Sequence, residues 1–225
     1  MQKDDLARWF AAVRDVLETA YLAQTEPWLQ SGKSGPEEYW IAARRPVADC
    51  IERDGSFLDI GCANGYLMEC VVKWTAERGI KVTPYGLDIS ARLVELARRR
   101  MPQYADNLFV GNSWDRVSPR RFDYVRTELV YVPPELQREY VRRLLDRLVN
   151  DGGRLLVAEY RSRRQSPGAT WIEQKLVGAD GATVTVAQPS PVDEALRGWG
   201  FNVARVVSGF WEGKEVTRVA VVERV

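Results

Sequence analysis

The stretch FLDIGCANGYL, residues 57–67, places an acidic side chain and a glycine-rich turn directly after a short apolar run. Asp59 lies near the end of the run, and Gly61 and Gly65 border a loop whose backbone a ligand can approach closely. A phosphate-binding loop would need a Gly-Lys-Ser/Thr sequence, and the charge of Asp59 would repel a phosphate. The stretch therefore favours a cationic or hydroxyl-rich ligand.

A second acidic residue, Asp88, ends the next apolar run, 23 residues after Gly65. A carboxylate has two acceptor oxygens and can accept hydrogen bonds from two hydroxyl groups of one ligand. Dinucleotide-binding enzymes place an acid at a similar spacing, but they use the loop G-x-G-x-x-G, and here Gly61 is followed by Cys62 and Ala63. The position of Asp88 alone does not distinguish the two kinds of enzyme, so a dehydrogenase remains an alternative that nicotinamide binding would reveal.

The composition excludes several kinds of chemistry. The 225 residues include no histidine, which excludes Ser-His-Asp and Cys-His catalysis and leaves carboxylates, Tyr, Lys, Cys or water as general base. The three cysteines form no C-x-x-C pair, so we expect no metal site. The N-terminus lacks the features of a signal peptide, and no apolar run reaches the roughly 18 residues that span a bilayer. We expect a cytoplasmic protein without a membrane partner.

Apolar periodicity predicts strands that alternate with helices. Amphipathic helices are predicted over residues 2–22 and 36–52, before the first strand. The predicted strands are 55–60, 81–89, 107–112, one within 122–132, 153–160, 201–210 and 215–225. Strand–helix alternation with short connections predicts an α/β, doubly wound, mostly parallel seven-stranded sheet. A C-terminal antiparallel hairpin and an N-terminal helical extension complete this fold prediction.

In this order, the motifs resemble those of the class I S-adenosylmethionine-dependent methyltransferases. That family ends its first strand with an acidic residue and a glycine loop, which match Asp59, Gly61 and Gly65, and places a ribose-binding acid at the position of Asp88. The resemblance spans residues 55–160, and the terminal hairpin extends it. It implies S-adenosylmethionine as cofactor. The implied cofactor-binding residues are Asp59, Gly61, Cys62, Ala63, Gly65, Asp88, Ile89, Asn112, Ser113 and Trp114.

The adenine contact departs from the family pattern. Methyltransferases commonly have Gly-Asp after the third strand, whereas this chain has Gly111-Asn112. The Asn112 amide can accept a hydrogen bond from the adenine amino group and donate one to a ring nitrogen. Trp114 is expected either to stack on the base or to pack at the edge of the core.

The resemblance also implies a domain organisation. We expect residues 1–52 to form a helical extension or lid and residues 53–225 to form the methyltransferase domain, with 165–190 as an insertion before the last helix. In and just before this insertion, residues 161–170 are interpreted as a mobile loop, 171–177 as a helical piece, and 182–188 as an alternation of apolar and polar residues. The insertion is expected to shape the acceptor pocket.

Three residues after strands four and five are the candidate catalytic residues. Glu128 is expected to be a base or an acceptor-orienting carboxylate, or else to form a salt bridge with Arg126 or another arginine. Tyr131 and Tyr160 are expected to line the acceptor pocket or to pack at the sheet edge. A base is needed only where the acceptor is a protonated hydroxyl or amine.

The resemblance predicts the reaction better than the substrate. In-line methyl transfer to a small molecule is the principal hypothesis. The alternative is an RNA or protein methyltransferase that docks its substrate on residues 90–165, where sixteen basic and ten acidic residues give a local charge of +6. A third reading is a non-catalytic cofactor-binding protein. The sequence does not determine the oligomeric state.

Overall fold

The computed structural model describes residues 3–32, 35–115, 118, 120–161, 170–177 and 183–224. Two helices precede the sheet: α1 (Lys3–Leu22) and α2 (Glu37–Asp49). Pro36 is the N-cap residue of α2, because its fixed φ of −68° suits a helix start. No helix in the described part of the chain is both long and apolar enough to cross a membrane.

Within the described ranges, nine strands follow in chain order. They are β1 (Gly55–Ile60), β2 (Val82–Asp88), β3 (Leu108–Val110), β4 (Phe122–Glu128), β5 (Val149–Tyr160), β6 (Trp171–Val177), β7 (Thr183–Pro189), β8 (Asn202–Trp211) and β9 (Lys214–Glu223). The remaining helices are α3 (Tyr66–Ala76), α4 (Ala91–Arg100), α5 (Gln137–Arg147) and α6 (Val192–Gly198).

Seven of these strands form one sheet in the order β3-β2-β1-β4-β5-β9-β8. β9 is antiparallel to both of its neighbours, and the other pairs are parallel. The predicted seven-stranded sheet with a C-terminal antiparallel hairpin is therefore confirmed. The parallel strands β1 to β5 end at the same edge, which is where ligands of such sheets bind.

The core consists of one apolar layer on each face of the sheet. α2, α3 and α4 pack on one face, over Phe57 and Tyr124. α1, α5 and α6 pack on the other, over Leu58 and Val125. Because successive strand residues point to opposite faces, central strands covered on both sides need apolar side chains at consecutive positions.

β6 and β7 form a separate two-stranded antiparallel sheet, and this corrects the helical interpretation of residues 171–177. Ile172 pairs with Gln188, and Gln174 pairs with Val186. Ile172 is buried, and its sequence neighbours Trp171 and Glu173 are exposed. The partner strand of β6 is β7, which begins at residue 183, and the pattern within residues 171–177 gives no information about a strand outside them. Of the predicted mobile loop, residues 162–169 lie outside the described residues.

The sequence PPELQREYVRRLLDRLVN, residues 133–150, predicts one long helix that begins at the double proline and stops at Asp-Gly-Gly, and the helix that forms is shorter. A 3-10 turn (Pro134–Leu136) precedes α5, and β5 already begins at Val149. The Asp-Gly-Gly sequence at 151–153 therefore lies within β5 and does not end the helix.

Candidate functional site

The glycine loop lies between the carboxyl ends of β1 and β2. Gly61, Ala63 and Gly65 all have positive φ, at 72°, 46° and 79°. The Gly61 N–H donates to the Leu87 carbonyl at 2.7 Å, which ties the loop to β2. A Cβ built on Gly61 would lie 2.5 Å from the Tyr131 ring and hydroxyl. Both the backbone conformation and this close approach therefore require glycine at position 61.

Asp88 joins the glycine loop to the start of α4. Its Oδ2 accepts from the Ala63 N–H at 2.9 Å, and its Oδ1 accepts from the Ser90 N–H at 2.8 Å. Each oxygen retains a further acceptor position, because a carboxylate has about four. Burial raises the pKa of Asp88, and the two backbone donors oppose that rise. Ser90 is the N-cap residue of α4, with its hydroxyl accepting from the Leu93 N–H.

A first cavity opens between α1 and the loops that follow β1, β2 and β3. It is lined by six of the predicted cofactor-binding residues, namely Gly61, Ala63, Asp88, Ile89, Asn112 and Ser113. The Asn112 Oδ1 accepts from the Trp114 N–H at 2.9 Å. The cavity therefore combines an apolar wall from α1 with a polar wall from the strand ends.

Trp114 and Gly65 do not line this cavity. Trp114 is buried in the apolar core, and the Arg143 guanidinium lies 4.0 Å from its ring centroid. Of the two positions expected for Trp114, beside the adenine or in the core, the ring therefore occupies the core position. Gly65 precedes α3, and a Cβ there would lie 3.1 Å from Ala97 of α4. Gly65 therefore permits close packing of two helices.

A second cavity adjoins the first on the other side of the glycine loop. The two share Gly61, Ala63, Tyr131 and three residues of α1. The second cavity is bounded by α1, α2, the ends of β4 and β5, and the β6–β7 hairpin. It contains the predicted residues Asp59, Cys62, Glu128, Tyr131 and Tyr160. It also contains polar residues that the sequence analysis did not select as ligand-binding, namely Arg44, Arg126, Gln174 and Gln188.

Arg126 is buried at the centre of a polar cluster that includes all three catalytic candidates. Its Nη1 donates to Asp59 Oδ1 at 3.2 Å and to the Tyr131 hydroxyl at 2.9 Å. Its Nη2 donates to Glu128 Oε1 and to the Tyr160 hydroxyl. The Tyr131 hydroxyl also donates to Glu128 Oε1, at 2.8 Å. The predicted Glu128–Arg126 salt bridge is therefore present, and it lies inside the cavity.

Burial and neighbouring charges determine the protonation of this cluster. Burial alone would lower the pKa of Arg126, but the surrounding tyrosines and carboxylates raise it well above its ordinary value. Burial raises the pKa of Tyr131, so its hydroxyl stays protonated at neutral pH and acts as a donor. Burial also raises the pKa of Asp59 to about 6, against the lowering effect of Arg126 and Arg44. Asp59 is therefore largely ionised at neutral pH.

Four buried polar atoms of residues that line the second cavity have no hydrogen-bond partner within the described part of the chain. They are Arg44 Nη1, Asp59 Oδ2, Arg126 Nε and Gln188 Oε1. The rest of the Arg44 guanidinium is well held, because it stacks 3.4 Å from the Tyr160 ring centroid and donates to the Ser31 carbonyl at 3.2 Å. A buried polar group without a partner costs about 1–3 kcal/mol, so these atoms indicate a ligand-binding role.

Only part of this cluster had a signal in the sequence. Arg126 lies in β4 two residues before Glu128, so both side chains share a face of the strand. Arg44 and Gln188 come from α2 and from the hairpin, and no local pattern brings them to this edge of the sheet. In the described residues, no group of three or more Cys, Asp and Glu side chains is arranged to hold a metal ion.

α1 covers both cavities and is held at its far end by one carboxylate. Glu18 Oε2 accepts from the Ser90 hydroxyl at 2.5 Å, and Glu18 Oε1 accepts from Arg92 at 3.2 Å. α1 also contacts both strands of the β6–β7 hairpin. The helix and the hairpin therefore both line the second cavity.

No protein-family model and no curated protein matches this sequence. Solved structures do match. The 1,6-didemethyltoxoflavin-N1-methyltransferase of Burkholderia thailandensis, with bound 1,6-didemethyltoxoflavin and S-adenosylhomocysteine, is 14% identical with a TM-score of 0.66, over 97% of this chain and 90% of its own. The DhpI–SAM–HEP complex is 15% identical with a TM-score of 0.62, over the whole of both chains.

The glycopeptide N-methyltransferase MtfA, complexed with S-adenosyl-L-methionine, is 17% identical with a TM-score of 0.59. That match covers 81% of this chain and 92% of MtfA. The chain therefore has the fold of the class I S-adenosylmethionine-dependent methyltransferases, and the predicted fold resemblance is confirmed.

Proposed function

We propose that this protein is an S-adenosylmethionine-dependent methyltransferase that acts on a small-molecule acceptor. The observation that carries the proposal is the pair of adjoining cavities at the carboxyl edge of the sheet. Asp88 lies in the first, and Asp59 and Arg44 present unpartnered atoms of opposite charge in the second. Matching structures with bound S-adenosylmethionine or S-adenosylhomocysteine support the same cofactor here.

The residues present fit this cofactor. Asp88 would accept from the ribose hydroxyls with its remaining acceptor positions, and Asn112 would contact the adenine. Asp59 Oδ2 would accept from the ammonium group of the methionine moiety, and Arg44 Nη1 would donate to its carboxylate. Gly61 and Ala63 both have positive φ and carry no side chain or only a methyl group, so the backbone between these groups stays accessible.

The bound cofactor would supply a methyl group that its sulfonium already activates for in-line displacement. The protein's contribution is therefore alignment of the acceptor and exclusion of water. Arg126 and the Tyr131 hydroxyl hold Glu128 Oε1, so the Glu128 side chain has a defined orientation in the second cavity. We assign Glu128 to orienting an acceptor hydroxyl or amine and to accepting its proton. Tyr131 positions Glu128 through its hydroxyl proton, and Tyr160 lines the same cavity.

We further propose that residues 1–52 form a lid and that the insertion at 165–190 shapes the acceptor pocket. α1 covers both cavities, and the inner face of the hairpin supplies Ile172, Val186 and Gln188 to the second cavity. The Glu18 contacts to α4 hold the lid closed. Deletion of the hairpin without any change in turnover would contradict the second assignment.

The arginine-rich segment gives little support to an RNA acceptor. Arg98 and Arg99 both lie within 4 Å of Glu95, and Arg142 and Arg143 both lie within 4 Å of Glu139. Local carboxylates therefore neutralise much of its positive charge. An RNA-binding protein would instead show affinity that falls steeply with ionic strength, because phosphate contacts release counterions.

Calorimetric titration with S-adenosylmethionine, S-adenosylhomocysteine and NAD tests the proposal. We expect micromolar binding of the first two and none of NAD. Selective NAD binding would instead indicate a dehydrogenase, and a folded protein that binds none of the three would refute the cofactor assignment. Binding without methyl transfer to any member of a broad acceptor panel would favour the non-catalytic cofactor-binding alternative.

A further inference from the structure

The amino-acid end of the proposed cofactor provides partners for two of the four unpartnered polar atoms, and the other two still have none. Under the proposed function, Asp59 Oδ2 and Arg44 Nη1 bind the ammonium and the carboxylate. Arg126 Nε, a donor, and Gln188 Oε1, an acceptor, still lack partners in the same cavity. Both side chains are only 2% exposed, so bulk water is not an adequate substitute.

Gln188 is presented by a well-anchored strand. Its backbone pairs with Ile172, and the preceding residue, Ala187, accepts from the buried Gln137 amide at 2.6 Å. Beside Gln188, Ile172 and Val186 give the inner face of the hairpin an apolar surface. This surface suits a compact, mainly apolar molecule with few polar groups.

The charge around Arg126 limits the chemistry of that molecule. Asp59 and Glu128 both form ion pairs with the Arg126 guanidinium, so its charge is already balanced. An anionic acceptor group near Nε would be repelled by these two carboxylates. A neutral oxygen is therefore the better partner, and Gln188 Oε1 requires an N–H or O–H donor in addition.

We propose that the methyl acceptor is a compact neutral molecule with an amide-like or lactam-like group. Its carbonyl oxygen accepts from Arg126 Nε, and its N–H donates to Gln188 Oε1. This inference rests on the proposed function, because it assigns the two atoms that the cofactor leaves free. It makes Gln188 a specificity-determining residue and Arg126 both a positioning residue for Glu128 and a direct ligand of the acceptor.

Two probes of nearly equal shape test the donor requirement. N-methylbenzamide has the carbonyl and the N–H, whereas methyl benzoate replaces the N–H by an ester oxygen. Each is titrated by NMR into protein saturated with S-adenosylhomocysteine. We expect N-methylbenzamide to bind at least about tenfold more tightly, as a buried acceptor left unpaired implies. Equal affinities, or no binding of either probe, would overturn the inference.

A matched pair of variants then identifies the residue. Gln188→Leu should remove the preference between the probes while keeping affinity for S-adenosylhomocysteine. Thr185→Leu, on the exposed face of the same strand, should retain the preference. A preference that persists in Gln188→Leu would contradict the assignment. If S-adenosylhomocysteine binds but the probes are not distinguished, only this inference fails; if it does not bind, the proposed function fails too.

Discussion

Affinity for the cofactor should depend on pH through one buried carboxyl, that of Asp59. The side chain is 1% exposed, and its Oδ1 is held by Arg126 at 3.2 Å, which leaves Oδ2 for the ligand's ammonium group. Burial raises the pKa of Asp59 to about 6. The protonated acid cannot form an ion pair with the ammonium, so lowering the pH through this value should weaken binding.

The magnitude follows from the pKa of Asp59. With a value of about 6 in the free protein, roughly nine-tenths of the molecules carry the protonated acid at pH 5 and about one-tenth at pH 7. The dissociation constant for S-adenosylhomocysteine should therefore be about tenfold higher at pH 5 than at pH 7. The ligand's own amino group stays protonated over this range and adds nothing to the change.

The same pKa shift makes protein stability fall as pH rises, whereas cofactor affinity increases. The folded pKa of about 6 lies above the ordinary value of 3.8, so between these pH values the folded protein binds more protons than the unfolded chain. The contribution of Asp59 to the free energy of unfolding of the ligand-free protein is therefore largest below about pH 4. It falls as pH rises towards 6, while cofactor affinity increases.

The assay is calorimetric titration with S-adenosylhomocysteine at pH 5, 6 and 7, in two buffers of different ionisation enthalpy. Near pH 5, binding to wild-type protein should release close to one proton. The control is Asp59→Asn, which should bind more weakly and lose this dependence on pH. Equal wild-type affinity at pH 5 and pH 7, in protein that circular dichroism shows to be folded, would refute the reasoning.

Three further changes test the site. Gly61→Ala should lower the free energy of unfolding, measured by urea denaturation, by about 2–4 kcal/mol, because it strains the backbone and overlaps the Tyr131 ring. The control is Gly79→Ala, at a similar φ but in open space, which should lower the free energy of unfolding by about 1 kcal/mol. Equal losses in the two variants would contradict the overlap at position 61. Asp88→Ala should weaken S-adenosylmethionine binding by about 1.5–3 kcal/mol, and wild-type affinity would place the ribose elsewhere. Arg44→Met should weaken S-adenosylhomocysteine binding about 10- to 100-fold but leave 5′-methylthioadenosine, which lacks the carboxylate, unaffected; equal loss for both ligands would contradict carboxylate binding.

Local sequence patterns were sufficient for most of the fold. Periods of 2 and 3.6 residues in apolar side chains mark strands and helices without knowledge of distant partners. A positive φ favours glycine wherever it occurs, so the loop at Gly61 is visible in the sequence. Asp59 and Asp88 could be located because each ends a strand, and the ends of parallel strands meet at one edge.

Where an element depends on a distant partner, the sequence was insufficient. Residues 171–177 have no strong strand signal, and they form β6 because they pair with β7 and pack against α1. Trp114 has the position of an adenine neighbour, yet the core and Arg143 hold it away from the cavity. In both cases tertiary packing outweighs local preference.

The polar composition of the second cavity was decided by tertiary structure alone. Arg44, Arg126 and Gln188 come from a helix, a central strand and a hairpin that are far apart in sequence. No periodicity relates them, and only the tertiary fold places all three around one cavity. The sequence by itself therefore determined the fold and predicted the proposed cofactor side of the site. The proposed acceptor side arises from non-local contacts, because separate elements supply each of its walls.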